Sequence, residues 1–242
     1  MLKPKQNKKM VVIMLVFLLA VIIFASLTKR VGKEVEGIEK TEKISLPKEF
    51  IKGNLTVFDS IKTRRSIREY SEKPITLKEL STLLFATQGI TSTNGWEKRA
   101  APSAGALYPM ETYIVVNNVD GLDKGLYHYI PDEHALEIIK LGDFGKDIRS
   151  IGLGQAPLEE AAVDFIWTAV FERTTKKYGE RGIRYIHIEA GHISENLYLQ
   201  ANSMGIGVVA IGAFNDDAIN KFLGVDGEKE SVIYINAVGK KQ

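Results

Sequence analysis

The sequence predicts an α+β domain that follows a single N-terminal transmembrane helix. Three strand-like segments lie close together between residues 111 and 141, separated by short turns as in antiparallel hairpins. A long amphipathic pattern over residues 184–204 then separates a buried apolar run from two further strand-like segments. Strands grouped in this way, rather than alternating regularly with helices, are typical of the α+β class.

The composition of the 242-residue chain excludes several kinds of partner and site. A net charge of +2 and a pI of about 8.5 are too mild to indicate a nucleic-acid-binding surface. The chain contains 0 cysteines, so disulfides, thiolate metal sites and a cysteine nucleophile are excluded.

The first 30 residues predict a membrane anchor. A lysine-rich tail precedes an apolar run over residues 10–27. As a helix, this run would be about 27 Å long, close to the ~30 Å hydrocarbon core of a bilayer. Cleavage as a signal peptide is disfavoured, because Ile23-Phe24-Ala25 matches a cleavage site poorly. The lysines are denser before the run than after it, which predicts a cytoplasmic tail and an extracytoplasmic domain.

The rest of the chain divides into a linker and one domain. Residues 31–53 are rich in Lys and Glu and lack a periodic apolar face, which predicts an extended linker. Residues 54–242 are long enough to form one domain with a sizeable core. We therefore predict an anchor over residues 1–30, a linker over 31–53 and a domain over 54–242.

Apolar spacing and capping signals place the elements of the domain. A short amphipathic helix is predicted from residue 57, and a second runs from the capping box Thr76–Glu79 to Gln88 and stops at Gly89. Residues 91–101 form a polar loop, and residues 174–182 are irregular or briefly helical. The remaining predicted elements are strands at 111–116, 125–130, 135–141, 161–171, 207–211 and 231–238, and helices at 143–151, 184–204 and 215–224.

Residues 63–70, Thr-Arg-Arg-Ser-Ile-Arg-Glu-Tyr, are the main candidate for a binding site, and we call them the arginine segment. In an extended backbone Arg64, Ser66 and Arg68 share one face, whereas in a helix Arg64 lies over Arg68. Either arrangement brings two guanidinium groups together near a hydroxyl, which suits a dianionic phosphate. The alternative is a solvated basic helix end.

Two further stretches are candidates. Residues 100–109, Ala-Ala-Pro-Ser-Ala-Gly-Ala-Leu-Tyr-Pro, form what we call the small-residue loop; small side chains let a backbone approach a flat ligand closely. Lys177 and Tyr178 lie in a polar segment before the long helix. Two interpretations are open for them: an exposed loop, or an acid–base pair in which Lys stabilises an anion and Tyr carries a proton.

Other motifs are weaker. Residues 205–210 match the letters of a dinucleotide fingerprint, but they follow a helix and enter a strand, the reverse of the required order. His187 and His192 are five positions apart, which does not fit a helical zinc pair, and we predict no metal site. Neither Ser66 nor Ser103 lies in the turn motif of a serine hydrolase.

The arginine segment and residues 102–109 together resemble the nitroreductase superfamily of FMN enzymes. The form Pro-Ser-Ala-Gly-Ala-Leu-Tyr-Pro is similar to the SagB/ThcOx-type dehydrogenase branch. Further likeness to that branch lies in residues 189–192, Asn196, Leu197, residues 205–207 and residues 210–214. The resemblance covers residues 55–241 and implies a central mixed, mainly antiparallel sheet flanked by helices.

The resemblance also implies site residues and a homodimer with FMN at its interface, so that both subunits contribute. Its FMN contacts map onto Arg64, Arg65, Ser66 and Arg68 at the phosphate and ribityl chain, Pro102, Ser103, Ala104 and Gly105 at the isoalloxazine ring, Ile211, Gly212 and Ala213 near the other side of the flavin, and Lys240 or Lys241 at the phosphate. Lys177 and Tyr178 resemble a Lys–Tyr pair that azole-forming members use near the flavin.

The resemblance implies a dimeric, FMN-dependent oxidoreductase, and the apolar run over residues 10–27 adds a membrane anchor to this prediction. The enzyme would pass hydride through flavin N5 between NAD(P)H or another donor and a small organic acceptor. Two alternatives stay open: an azoline-to-azole peptide dehydrogenase, and a flavin-binding scaffold at the membrane without turnover. The anchor over residues 10–27 argues against the peptide substrate, since azole-forming members act in the cytoplasm.

Overall fold

The computed structural model describes residues 42–92 and 94–242. The predicted membrane anchor over residues 1–30, and the predicted linker up to residue 41, lie outside the described residues. Within the described ranges, none of the helices combines the length and the apolar character that crossing a membrane requires.

The described residues form eleven strands and seven α-helices. The strands are β1 Lys43–Ser45, β2 Ile75–Thr76, β3 Ile90–Ser92, β4 Lys98–Arg99, β5 Met110–Val116, β6 Val119–Asp120, β7 Gly125–Ile130, β8 Ala135–Leu141, β9 Val163–Val170, β10 Ile206–Ile211 and β11 Glu230–Lys240. The helices are α1 Val57–Thr63, α2 Leu77–Gln88, α3 Gly145–Ile151, α4 Pro157–Glu160, α5 Phe171–Tyr178, α6 Arg181–Ser203 and α7 Asp216–Leu223, with a 3₁₀ turn at Ala104–Ala106.

Seven of the strands make one central sheet in the order β1-β8-β7-β5-β9-β11-β10. Every neighbouring pair in this sheet is antiparallel. Parallel pairing occurs in the short β2–β6 ladder outside the main sheet. The predicted α+β class with a mainly antiparallel sheet is therefore confirmed.

The sheet carries an apolar core on each face, because successive residues of a strand point to opposite sides. On one face, Leu83 of α2 and Ile193 of α6 belong to the same core as Trp167 of β9. On the other face, Ile148 of α3 packs in a second core with Ile166, the neighbour of Trp167. Helices therefore cover both faces of the sheet.

The helix signals in the sequence are confirmed by their capping contacts. The Thr76 hydroxyl accepts a hydrogen bond from the Glu79 amide at 3.2 Å, and the Glu79 carboxylate accepts one from the Thr76 amide at 2.9 Å. This reciprocal pair is the predicted capping box, and α2 ends at Gln88 as predicted. Asn215 caps α7, and Gly224 ends it with a φ of +80°.

The domain begins before residue 54, where the sequence predicted a linker. β1 extends the sheet by pairing with β8. Leu46 is buried, and the Phe50 ring stacks on Phe85 with centroids 4.1 Å apart. An edge strand of three residues is too short to show a periodic apolar pattern. The charged residues around it therefore led to the prediction of a linker. Residues 43–53 thus belong to the domain.

Two polar regions contain regular structure: residues 174–182, predicted as irregular or briefly helical, and residues 91–101, predicted as a loop. Residues 171–178 form α5 directly after β9, and Gly182 allows α6 to approach it so closely that a Cβ there would lie 3.0 Å from the Thr175 Cα. This packing, together with the contact of Phe171 with the core, stabilises a helix whose other residues are mostly polar. In the second region, β3 pairs with β4 in antiparallel fashion, and Trp96, between the two strands in the sequence, is exposed.

Candidate active site

The arginine segment runs along the edge of the sheet in an extended conformation. Arg64 follows α1 with φ −52° and ψ 132°. Ser66 forms a parallel bridge with Val208 of β10, and Tyr70 forms an antiparallel bridge with Lys241. Of the two predicted conformations, the extended one is therefore observed rather than the helical one.

Tyr198 of α6 organises the start of this segment. The guanidinium carbon of Arg64 lies 5.0 Å from the Tyr198 ring centroid, and the Ser66 hydroxyl lies 3.2 Å from the Tyr198 hydroxyl. Arg64 and Ser66 thus share a face, as predicted. The Ala210 amide donates to the same tyrosine oxygen at 2.7 Å. The arginine segment and the end of β10 therefore meet at one side chain.

The other two arginines of the segment differ in their partners. Arg65 donates from Nη1 to the carbonyls of Lys62 and Arg64, at 3.3 Å and 2.7 Å, so its guanidinium turns back toward α1. Arg68 is exposed, and in the part of the chain that the structure describes its guanidinium makes no hydrogen bond or ion pair. Arg68 is thus available for an anion, whereas Arg65 is engaged.

The two C-terminal lysines also differ. Lys240 Nζ lies 2.5 Å from Glu79 Oε1, so it is held at the start of α2. Lys241 Nζ donates to Asn202 Oδ1 at 3.0 Å, and the Asn202 amide donates to the Thr63 hydroxyl at 2.8 Å. This chain of contacts places Lys241, rather than Lys240, beside the beginning of the arginine segment.

The predicted contacts after β10 lie at the same edge of the domain. Ile211 is buried at the end of β10, whereas Gly212 and Ala213 are exposed. Because the preceding Ala210 is bonded to Tyr198, these exposed residues follow directly from the point where the arginine segment is anchored.

The small-residue loop forms a tight turn with left-handed backbone at Gly105 (φ +65°), Ala106 (φ +54°) and Tyr108 (φ +45°). Such angles strain a residue that carries a Cβ, and they persist only where the surroundings impose them. The Ser103 hydroxyl accepts from the Tyr108 amide at 2.9 Å, and Arg173 Nη1 donates to the Tyr108 carbonyl at 3.2 Å. These contacts hold the turn from both sides.

The predicted pair Lys177–Tyr178 ends α5 and closes on this loop. A Cβ on Gly105 would lie 2.7 Å from Tyr178 Oη and 2.9 Å from Lys177 Nζ, so a larger residue at this position would displace the ends of both side chains. Pro102 and Gly105 are exposed, and Ala104 is half-buried. The structure thus brings a phenol and an ammonium onto exposed backbone, at the end of a helix rather than in a loop.

Glu189 of α6 lies behind the same loop and was not among the predicted site residues. It is 3% exposed, and the groups that favour its ionised form are Ser103 of the loop and Arg99. Burial raises the pKa of Glu189 to about 7 against the opposing effects of Ser103 and Arg99. A sequence signal existed, because Glu189 interrupts the apolar stripe between Ile186 and Ile193.

Helix α6 runs from the small-residue loop to the arginine segment. Glu189 lies behind the small-residue loop, and Tyr198, nine positions later (189 to 198), contacts the arginine segment. Nine residues correspond to an axial rise of about 14 Å. This set of groups has the chemistry that a flavin mononucleotide would require, with Arg64, Arg68 and Lys241 as cations for a phosphate and exposed backbone at Gly105 for a flat ring.

The histidines and the glycine motif have structural roles. His128 Nε2 lies 2.8 Å from Glu111, and buried His134 bonds to Ser81 and Tyr129. Over residues 42–92 and 94–242, no group of three or more His, Asp or Glu side chains is placed to hold a metal ion. Gly205, with a φ of +74°, follows the end of α6 rather than opening a helix.

Comparison with known proteins finds relatives that span most of the domain. The nitroreductase family model matches residues 61–240. MJ1384 of Methanocaldococcus jannaschii, a protein named as a nitroreductase, is 42% identical over 183 residues, which cover 76% of this chain and 90% of MJ1384.

Two further comparisons involve longer proteins. The structure of a protein from Anabaena variabilis named as a nitroreductase has a TM-score of 0.74 and 32% identity, and the match covers 84% of this chain but 42% of that one. The microcin B17-processing protein McbC of Escherichia coli is 27% identical over 150 residues, which cover 60% of this chain and 55% of McbC. The chain thus spans about half the length of these two relatives.

Proposed function

The chain belongs to the nitroreductase family, and from this premise we propose that it is an FMN-dependent oxidoreductase. When bound, FMN supplies the hydride chemistry, between NAD(P)H or another donor and a small organic acceptor. The observation that carries the proposal is the closure of Lys177 and Tyr178 on the exposed backbone of Gly105. It combines a proton carrier, a positive charge and a turn that leaves room for a flat ring.

In this proposal the cations of the arginine segment hold the FMN phosphate and ribityl chain. Arg68 is supported by its lack of a partner among the described residues, and Arg64 by its fixed position over Tyr198. Lys241 adds a third cation beside Thr63. Lys240 contributes less because the Glu79 carboxylate neutralises it at 2.5 Å, a closer ion pair than that between Arg64 and Glu195 at 3.7 Å. Arg65 contributes less because its guanidinium turns back to the carbonyls of Lys62 and Arg64.

Pro102–Gly105 and the segment Ile211–Ala213 would hold the isoalloxazine ring. The chain's own residues then handle the proton that accompanies hydride transfer. The Tyr178 hydroxyl donates or accepts that proton, and the Lys177 ammonium stabilises the negative charge that develops at the acceptor. No side-chain nucleophile takes part.

A second copy of the chain completes the proposed site. Val57, Phe58 and Ile61 of α1, the helix that leads into the arginine segment, are 72%, 70% and 57% exposed. A contiguous apolar surface of this kind marks an interaction site rather than a solvated face. A homodimer that buries α1 would bring the arginine segment of one subunit close to its partner.

An azoline-to-azole peptide dehydrogenase is the second candidate. It is favoured by the similarity to McbC, a protein named for microcin B17 processing, together with the Lys177–Tyr178 pair at Gly105. In that reaction bound FMN would supply the hydride acceptor, and the Lys177–Tyr178 pair would take the proton that the azoline ring loses. Both candidate functions use the same Lys177–Tyr178 pair at Gly105, so an experiment must distinguish their substrates.

The absorption spectrum of the purified full-length protein tests the proposal. We expect a yellow flavoprotein whose colour bleaches without oxygen on addition of NADH or NADPH. Bleaching by an azoline peptide, with no response to either nicotinamide, would support the second candidate instead. Bound flavin that resists all three donors would leave only a scaffold, and colourless protein that takes up no added FMN would contradict flavin binding altogether.

The apolar run over residues 10–27 would anchor this enzyme in a membrane with the domain outside the cytoplasm. Alkaline extraction of membranes tests the anchor, and protease treatment of intact cells tests the orientation. Release of the full-length protein by alkaline buffer would contradict the anchor.

A further inference from the structure

Helix α5 meets the small-residue loop at two points. In its first turn, Arg173 Nη1 donates to the Tyr108 carbonyl at 3.2 Å. At its end, Tyr178 Oη and Lys177 Nζ lie 2.7 Å and 2.9 Å from the place that a Cβ on Gly105 would take. Arg173 and Lys177 are four positions apart (173 to 177), so they lie on the same face of the helix. One face of α5 therefore covers the loop from Tyr108 to Gly105.

Glu111 fixes the guanidinium of Arg173. Its Oε1 lies 2.5 Å from Arg173 Nη1, and its Oε2 lies 2.8 Å from His128 Nε2. Glu111 belongs to β5, in the middle of the central sheet, where it is paired with Thr168 of β9. Although burial opposes ionisation, the hydrogen bond from His128 and the charge of Arg173 hold the pKa of Glu111 below its ordinary value. The charged carboxylate therefore ties Arg173 to the rigid sheet.

Tyr108 is the loop residue that Arg173 holds. Its φ of +45° strains a residue that carries a Cβ, and such an angle persists only where the surroundings impose it. Its amide donates to Ser103 Oγ at 2.9 Å, its hydroxyl donates to the Glu97 carbonyl at 3.1 Å, and its ring lies 4.7 Å from the Arg99 guanidinium carbon. Arg173 supplies the donor for its carbonyl. Loss of this donor would weaken the support of a strained backbone on the side that faces α5.

We propose that Arg173, fixed by Glu111, is a positioning residue that sets the distance between the small-residue loop and the Lys177–Tyr178 pair. The inference rests on the proposed function, in which that pair handles the proton and the charge of hydride transfer. α5 has 8 residues, too few for a helix to be stable without tertiary contacts. Arg173 ties its first turn to the sheet and to the loop at once, so its last turn meets Gly105.

Hydrogen exchange of the full-length protein without added FMN, followed by mass spectrometry, tests the hold on the loop. The amides of Ala106 and Tyr108 are the probes, because they donate to the Ser103 carbonyl at 3.1 Å and to its hydroxyl at 2.9 Å. In Arg173→Gln these amides should exchange about tenfold faster, the order expected for the loss of one hydrogen bond to a charged group. The amides of β5 and β9 should keep the wild-type rates, because the opening is local.

Lys176→Gln is the matched control. Lys176 is a cation of the same helix, but it is exposed and its Nζ lies 4.0 Å from Glu172. This variant should keep the wild-type exchange rates in the loop. If Arg173→Gln fails to fold because Glu111 loses its cation, the double variant Glu111→Gln/Arg173→Gln removes both charges. It should fold and show the same faster exchange of the loop amides.

Steady-state turnover of the FMN-loaded enzyme tests the effect on the pair. Arg173→Gln should lower kcat about tenfold. In a Tyr178→Phe background the same change should have little further effect, because the group that Arg173 positions has already lost its proton. Arg173→Lys keeps a charge beside Glu111 and should recover part of both kcat and the protection of the loop amides.

The outcomes distinguish this inference from the proposed function. Wild-type exchange of the loop amides in Arg173→Gln, or equally faster exchange in the loop and in β5 and β9, would overturn the positioning role while FMN binding stands. Independent effects of Arg173→Gln and Tyr178→Phe on kcat would overturn it as well. A wild type that binds no FMN would contradict the proposed function, and the exchange rates would still decide whether Arg173 holds the loop.

Discussion

The hydroxyl of Tyr178 lies 2.7 Å from the point where a Cβ on Gly105 would be, so the present position of the tyrosine depends on the absence of a side chain at Gly105. They come from different parts of the chain, the end of α5 and the small-residue loop. Both conditions that require glycine are met at position 105, a φ of +65° and a close approach by other atoms.

Gly105→Ala should therefore weaken FMN binding about tenfold or more, because the methyl group must push Tyr178 and Lys177 away from the loop. The left-handed backbone adds a cost of about 1–2 kcal/mol to folding. The measurements are FMN titration and thermal unfolding of the variant beside the wild type.

Gly95→Ala is the matched control. Gly95 has a φ of +82°, but nothing lies within 4 Å of its added Cβ. It should lose stability by a similar backbone cost and keep its affinity for FMN. Equal FMN affinity of the two variants would show that the contact with Tyr178 does not matter for the flavin.

Tyr178→Phe should lower turnover about 100-fold while FMN remains bound, since the variant loses a proton carrier but keeps the ring. Steady-state kinetics of the FMN-loaded enzyme measure the change. Tyr185→Phe is the control, because the Tyr185 ring packs edge-on against Tyr178 at 5.1 Å and a phenylalanine ring preserves that contact. A rate for Tyr178→Phe as high as that of the control would rule out the proposed proton transfer.

Replacing the two C-terminal lysines should have different effects, one on FMN affinity and the other on the stability of the domain. Lys241→Ala should weaken FMN binding about tenfold and leave riboflavin binding unchanged, because riboflavin lacks the phosphate. Lys240→Ala should instead lower the melting temperature, because it leaves the largely buried Glu79 carboxylate without its cation. Titrations with both flavins and a thermal scan measure these effects. If instead Lys240→Ala weakened FMN binding and Lys241→Ala lowered the melting temperature, the phosphate would lie beside Lys240.

The arginine segment and the small-residue loop could be found in the sequence because each is a continuous stretch of unusual composition. The contacts that organise them could not, because they depend on distant residues. Tyr198 and Asn202 lie on the buried side of a helix whose apolar stripe was recognised, but nothing local shows that they meet Ser66 and Lys241.

Elements with clear local signals were predicted well, and elements defined by pairing were missed. The capping box at Thr76 and the glycine after α7 each determine a helix end through contacts within a few residues. β1 has no such signal, since its three residues become a strand only through pairing with β8. α5 is polar throughout most of its length and depends on close packing against α6 at Gly182.

His134 should make the stability of the domain depend on pH. Its Nδ1 lies 2.8 Å from the Tyr129 hydroxyl and its Nε2 2.8 Å from Ser81, close to the Pro47 carbonyl. Burial lowers the pKa of His134, against the opposing hydrogen bond to Pro47. The unfolded chain therefore binds the proton more readily than the folded one. Stability is full above the ordinary histidine pKa of about 6.5 and is lost as the pH falls through the lower folded value.

His134→Gln should lower the free energy of unfolding at neutral pH, because one amide cannot replace both ring contacts. It should also flatten the fall in stability between about pH 6.5 and 5, because the titrating group is gone. Urea unfolding at several pH values measures both effects. His187→Gln, an exposed position on α6, should keep the wild-type pH dependence. If His134→Gln lost stability on acidification as steeply as His187→Gln, the acid sensitivity of the domain would come from a group other than His134.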